Sequence, residues 1–120
     1  MGKTFDDLVT EAKSQIREVT AESVKAGIDS EHAFILVDVR EDNEWERGHL
    51  PKAIHLGRGI LERDASKVIP GSDAEIVLYC GGGSRSALAA QVLQTMGYTD
   101  VASLDGGFAE WVECGNSVQE

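Results

Sequence analysis

Short apolar runs rich in β-branched residues stand at 34–39 and 76–79, with further candidate runs at 53–56 and 101–104. The first two are nearly continuous, which is how strands buried on both faces read. Helical patterns lie between the runs. The clearest spans 85–96, where Leu88, Val92 and Met96 are spaced by four, Ala89 and Leu93 lie beside them, and Gly97 stands as a stop. Strands alternating with helices predict a parallel sheet covered on both faces. Ligands of such sheets bind beyond the carboxyl ends of the strands, and the run 76–79 leads directly into Cys80.

Upstream, Thr4 is placed to cap a helix carrying Phe5, Leu8, Val9 and Ala12 on one side, with Asp6 and Asp7 in its first turn. Residues 16–19 read equally as the end of that helix or as a short edge strand. Thr20 caps a second short helix, 21–26, with Gly27 as its stop. The organisation expected is a helical extension over 1–19, packed on one compact domain over 20–120. No internal repeat or linker interrupts it.

At 120 residues the chain suits a single domain, and 42% hydrophobic residues suffice for a core, so disorder is not expected. Eleven Lys and Arg against twenty-one Asp and Glu leave a net charge of −10. Such a chain repels phosphate backbones, which excludes nucleic acid as the expected partner. A small anionic ligand would need positive potential concentrated locally. Residues 1–7 lack an apolar signal core, and Asp6 occupies the position where a myristoylation pattern wants Ser or Thr. With no apolar run of about 18 residues, no membrane partner is expected and a cytoplasmic location is.

Chemistry concentrates in Tyr79-Cys80-Gly81-Gly82-Gly83-Ser84-Arg85-Ser86, which joins a strand to a helix. Three glycines let the backbone curl so that successive N–H groups point inward, and the helix start adds its own donors and positive dipole end. A thiol at the mouth of this cradle is favoured as thiolate. Arg85 brings a fork of donors suited to an oxyanion, and Ser84 and Ser86 can supply hydroxyl bonds or cap the helix. A nucleotide-phosphate loop fits poorly, because the Lys and Ser or Thr that it requires after its glycines are absent.

The run from Cys80 to Ser86 resembles the active-site loop of single-domain rhodanese-like sulfurtransferases. Further motifs follow in the family's order: Asp38-Val39-Arg40-Glu41, then Glu44-Trp45-Glu46-Arg47-Gly48-His49-Leu50-Pro51-Lys52-Ala53-Ile54, then Asp105-Gly106-Gly107-Phe108-Ala109-Glu110-Trp111. The similarity covers residues 20–118. It implies a three-layer α/β/α domain with a central, mainly parallel sheet of about five strands, and no metal or organic cofactor. It also implies a thiosulfate sulfurtransferase-like reaction in which Cys80 takes sulfane sulfur from thiosulfate or a persulfide donor and passes it to cyanide, a thiol or a protein acceptor. The alternative is a sulfur-relay or protein-interaction module with little free turnover. Cell-cycle dual-specificity phosphatases share the fold but carry five residues between Cys and Arg; here there are four, which favours sulfur transfer over attack on phosphorus. Lys52 stands where the family commonly has Gly, implying an altered turn.

On this reading Cys80 and Arg85 are the catalytic residues, and Gly81, Gly82, Gly83, Ser84 and Ser86 line the substrate cradle. Arg58, between Gly57 and Gly59 after a strand, is the candidate for a second cation at the same end of the sheet. Asp38 and Arg40 are expected to be structural, the carboxylate bonding loop donors and the Arg pairing with an acidic neighbour, as buried charges require. His49 is expected as a hydrogen-bonding loop residue, and Trp45 and Trp111 as packing aromatics. Cys114 lacks a cradle of its own and reads as a bystander, with a resolving thiol as the alternative.

Overall fold

A computed structural model describes residues 2–120. Among these residues five strands form one sheet: β1 (Arg17–Val19), β2 (Ile35–Asp38), β3 (Ile54–His55), β4 (Glu75–Tyr79) and β5 (Asp100–Leu104). Their order is β1-β5-β4-β2-β3, and every pairing is parallel. The four apolar runs are therefore β2, β3, β4 and β5. The ambiguous segment at 16–19 resolves as an edge strand, with Arg17 opposite Ala102 and Val19 opposite Leu104.

Among the described residues, six α-helices flank the sheet: α1 (Phe5–Lys13), α2 (Ala21–Asp29), α3 (Asp42–Glu46), α4 (Leu61–Val68), α5 (Ser84–Thr95) and α6 (Gly107–Glu113). Strand alternation divides the core in two. Ile76 and Leu78 of β4, with Val37 of β2 and Val39 just past its end, pack against Leu61 and Ala65 of α4 and Ala89, Ala90 and Leu93 of α5. Val77 and Tyr79 point the other way, with Leu36 and Leu104, onto Ala21 and Val24 of α2 and Trp111 of α6. Both faces of the sheet are thus covered, giving the three layers expected from the sequence. Helix α1 lies on α5, and just beyond its end Gln15 takes two bonds from α5, from Gln91 Nε2 to its Oε1 and from Gln94 Nε2 to its carbonyl.

Local chemistry departs from expectation at three places. Helix α2 runs through Gly27 to Asp29; a Cβ on Gly27 would lie 3.2 Å from the Phe34 ring, so this glycine serves close packing. Helix α5 begins at Ser84 with Gly83 as its cap, and Ser84 makes no capping bond. Lys52 keeps a left-handed backbone (φ 69°), so the turn that commonly uses Gly is retained with a strained residue.

Candidate active site

Cys80 follows directly on β4, and strand alternation turns its side chain onto the α4/α5 face, where it is only 1% exposed. The chain then curls back under it. The N–H groups of Gly83 and Ser86 donate to Cys80 Sγ at 3.1 and 3.3 Å, and the Ser86 hydroxyl lies 3.5 Å away. Burial pushes the thiol up. The Ser86 hydroxyl and the amides of Ser86, Gly83 and Gly82 more than offset this, leaving Cys80 below its ordinary value of 9.0.

The three glycines have different duties. Gly83 alone takes a left-handed backbone (φ 104°), which turns the loop into α5. A Cβ on Gly81 would lie 3.1 Å from Arg85 Nη2, so the bare position gives the guanidinium its place. Gly82 faces open space. The outer edge of the loop is held by the start of α6, where the Phe108 and Ala109 N–H groups donate to the carbonyls of Cys80 (2.8 Å) and Gly81 (3.0 Å). That approach requires Gly107: its φ is +56°, and a Cβ there would sit 2.5 Å from the Cys80 carbonyl oxygen.

Arg85 projects from the first turn of α5 to Glu44 of α3, with Nη1 donating to Oε1 at 2.8 Å and Nη2 to Oε2 at 3.1 Å. The Arg85 hydrogen bond holds the Glu44 carboxyl at about 2, well below its ordinary 4.5. The loop's cation therefore has a dedicated counter-ion, a partner for Arg85 that the sequence reading did not name. Arg58 sits in a short 3-10 turn whose N–H bonds the Val39 carbonyl, placing its backbone beyond the end of β2. Its guanidinium pairs with Glu62 at 3.0 Å, not with the loop.

Behind the loop, on the opposite face of the sheet, Asp38 and Arg40 form a buried pair. Arg40 Nη2 donates to Asp38 Oδ2 at 2.8 Å and to the Gly48 carbonyl at 2.7 Å. The Tyr79 hydroxyl donates to the same carboxylate at 2.6 Å and accepts from the Leu50 N–H at 3.1 Å. Phe108 stacks over the Arg40 guanidinium with 4.2 Å from Cζ to the ring centroid. One buried ion pair thus ties β2, β4, the turn at Gly48 and the start of α6 into a platform for the loop. His49 Nδ1 lies 3.0 Å from the Leu50 carbonyl, and its ring stacks on Trp45. Trp111 is buried; Trp45 is half-buried, between His49 and His55. Cys114 is exposed at the far end of α6, about 9 Å along the helix from the Phe108 contact with the loop.

The chain is thus a parallel α/β domain with a buried thiol set among inward amides at the carboxyl end of a central strand. The chain belongs to the rhodanese-like domain family, whose model matches residues 20–114. It is 31% identical over 102 residues to "Putative sulfur carrier protein YrkF" of Bacillus subtilis, covering 85% of this chain and 54% of that one. The chain thus spans about half the length of that relative. It is 30% identical over 97 residues to "Putative sulfurtransferase YtwF" of the same organism, covering 81% and 91%. Among solved structures, a protein of unknown function from Rhodopseudomonas palustris, described as a "Possible Tyrosine Phosphatase", superposes with a TM-score of 0.89 at 33% identity. That match covers 99% of this chain and 96% of the other.

Proposed function

We propose that this domain is a sulfurtransferase that carries sulfane sulfur on Cys80. The observation that carries the reading is the ring of donors on Sγ: amides of Gly83 and Ser86 within 3.3 Å, and a thiol held below its ordinary value despite burial. The two B. subtilis relatives named for sulfur carriage and sulfur transfer support the same chemistry.

In this reading the Cys80 thiolate attacks the outer sulfur of thiosulfate. The Cys–S bond forms, the S–S bond of the donor breaks, and its electron pair leaves with sulfite. The persulfide anion on Cys80 is held by the same amides, those of Gly82, Gly83 and Ser86. Cyanide, a thiolate or a protein thiol then attacks the outer sulfur and regenerates the Cys80 thiolate. Arg85 supplies positive charge beside the reacting sulfur, fixed in place by Glu44. Arg58 is the second cation at that end of the sheet, screened by Glu62. A soluble thiol or persulfide relay uses the same steps with a protein as acceptor.

The R. palustris neighbour gives a second reading, attack of Cys80 on a phosphoryl group. Four residues between Cys80 and Arg85 argue for the smaller sulfur atom. Incubation with thiosulfate followed by intact mass measurement separates the two. Sulfur transfer adds one sulfur, about 32 Da, to the wild type and none to Cys80→Ser. A stoichiometric burst of phosphate from an aryl phosphate, lost in Cys80→Ser and without the sulfur adduct, would overturn the proposal.

A further inference from the structure

Beyond the loop, one buried polar contact reaches Cys80 from a strand that no motif singles out. Ser103 is the fourth residue of β5, on the same face of the sheet as Cys80, and its hydroxyl lies 2.7 Å from the hydroxyl of Ser86. Both serines are 0% exposed, so neither hydroxyl faces bulk solvent. Ser86 in turn stands 3.5 Å from Cys80 Sγ. Three groups from β5, α5 and the β4 end therefore form one buried chain: Ser103 hydroxyl, Ser86 hydroxyl, Cys80 sulfur.

We propose that Ser103 is a positioning residue, which acts through Ser86 to set how readily Cys80 becomes a thiolate. The argument is one of donors and acceptors. When Cys80 is a thiol, its S–H donates to Ser86 Oγ, and the Ser86 hydroxyl must send its proton on to Ser103. When Cys80 is a thiolate, the Ser86 hydroxyl turns to donate to sulfur, and its oxygen accepts from Ser103. A hydroxyl is the side-chain group that meets both demands, since it donates and accepts by rotation alone. In the thiolate state the donation from Ser103 polarises the Ser86 O–H and strengthens its bond to sulfur. Without Ser103, the Ser86 hydroxyl is released to turn toward the carbonyls three and four residues back, those of Gly83 and Gly82 ahead of the helix, and the sulfur loses a donor.

Other charges bear on Cys80 and stay constant when Ser103 is changed. Arg85 of α5 bears on the thiolate through its charge, and Glu44 and Glu41 bear on Arg85 from the α3 side. Asp38 and Arg40 are paired on the opposite face of the sheet. Helix α4 presents Leu61 and Ala65, while Asp105 and Glu110 at the start of α6 are exposed. The proposal rests on the reading of Cys80 as the reacting thiol, but it does not require that the thiol carry sulfur.

The test is the pH dependence of Cys80 alkylation by iodoacetamide in a Cys114→Ser background, which reads thiolate whether or not sulfur is transferred. Ser103→Ala is expected to raise the midpoint by roughly half a unit to one unit, a three- to ten-fold loss of thiolate at pH below it. Ser103→Thr, which keeps the hydroxyl, retains the original midpoint. In a Ser86→Ala background, Ser103→Ala adds nothing. An unchanged midpoint in Ser103→Ala overturns the proposal, as does an equal shift with Ser86 already removed. Should Ser103→Ala not fold, Ser103→Val against Ser103→Thr isolates the hydroxyl at equal shape, and identical midpoints for that pair overturn it too. A thiosulfate adduct that fails to form while these midpoints shift as expected would sink sulfur transfer alone.

Discussion

Arg85 and Glu44 meet through two parallel contacts, at 2.8 and 3.1 Å, and this pair joins the cysteine loop to α3. Each side chain is about one third exposed, so the bond is neither a surface pair nor a fully buried one. Glu44→Gln keeps an acceptor for one nitrogen but removes the charge, at an expected cost of about 1 kcal/mol. Because the folded carboxyl is depressed to about 2 from 4.5, its contribution is complete above pH 4.5 and is lost as pH falls toward 2. Unfolding measured across that range should show a constant gap between wild type and Glu44→Gln above 4.5, closing below it. A gap indifferent to pH would show that the Glu44 charge does not hold the loop.

Gly107 carries a second prediction. A methyl there would lie 2.5 Å from the Cys80 carbonyl oxygen and 2.8 Å from the Gly81 carbonyl carbon and oxygen, all backbone atoms that no rotamer change can move aside. Gly107→Ala should destabilise by about 3 kcal/mol and displace the loop from α6. Gly82→Ala is the control, since nothing lies within 4 Å of its Cβ position. Thermal unfolding of the two variants checks this; equal stability would mean that the α6 start does not clamp the loop.

Much of this was legible in the chain, for reasons that differ by residue. Continuous apolar runs exposed the buried strands, because burial on both faces leaves an unbroken apolar stretch. Helix α5 was found from the spacing of Leu88, Val92 and Met96, yet its buried stripe is Ala87, Ala89, Ala90 and Leu93, with Leu88 and Val92 half-buried and Met96 exposed. Cys80, the glycines and Arg85 stood out because loop, nucleophile and cation are contiguous. Glu44 did not: it is 41 positions from Arg85, on a helix whose neighbours Asp42 and Glu46 offer the same charge, and only the fold selects among them. Ser103 was hidden for the same reason, as a small polar residue in a strand that pattern alone reads as filler. Edge strand β1 was ambiguous because its residues Arg17 and Glu18 are exposed and its three positions are too few for a period to show.

Tyr79 tests the platform behind the loop. Its hydroxyl donates to Asp38 at 2.6 Å and accepts from the Leu50 N–H at 3.1 Å, and burial pushes the phenol well above its ordinary range, so it remains a donor. Tyr79→Phe leaves a buried N–H without a partner and a buried carboxylate short of one. The expected loss is about 2 kcal/mol in urea unfolding. Cys80 lies on the other face, so alkylation of the folded variant should keep its rate. A loss below about 0.5 kcal/mol would mean that water replaces the phenol in this network.

The two arginines proposed for the anionic donor should separate kinetically. Arg85 is built into the loop and requires a fork to engage Glu44, so Arg85→Lys keeps the charge but loses the bidentate pair. In a thiosulfate-to-cyanide assay, Arg85→Lys should lower kcat/KM by roughly tenfold. Arg58 is spent largely on Glu62, one turn further along its own segment. A screened charge of that kind contributes about 0.5 kcal/mol, so Arg58→Ala should raise KM for thiosulfate about twofold with kcat unchanged. An unaltered KM in Arg58→Ala would remove that residue from the site. A larger effect in Arg58→Ala than in Arg85→Lys would move the anion away from the loop and toward the ends of β2 and β3.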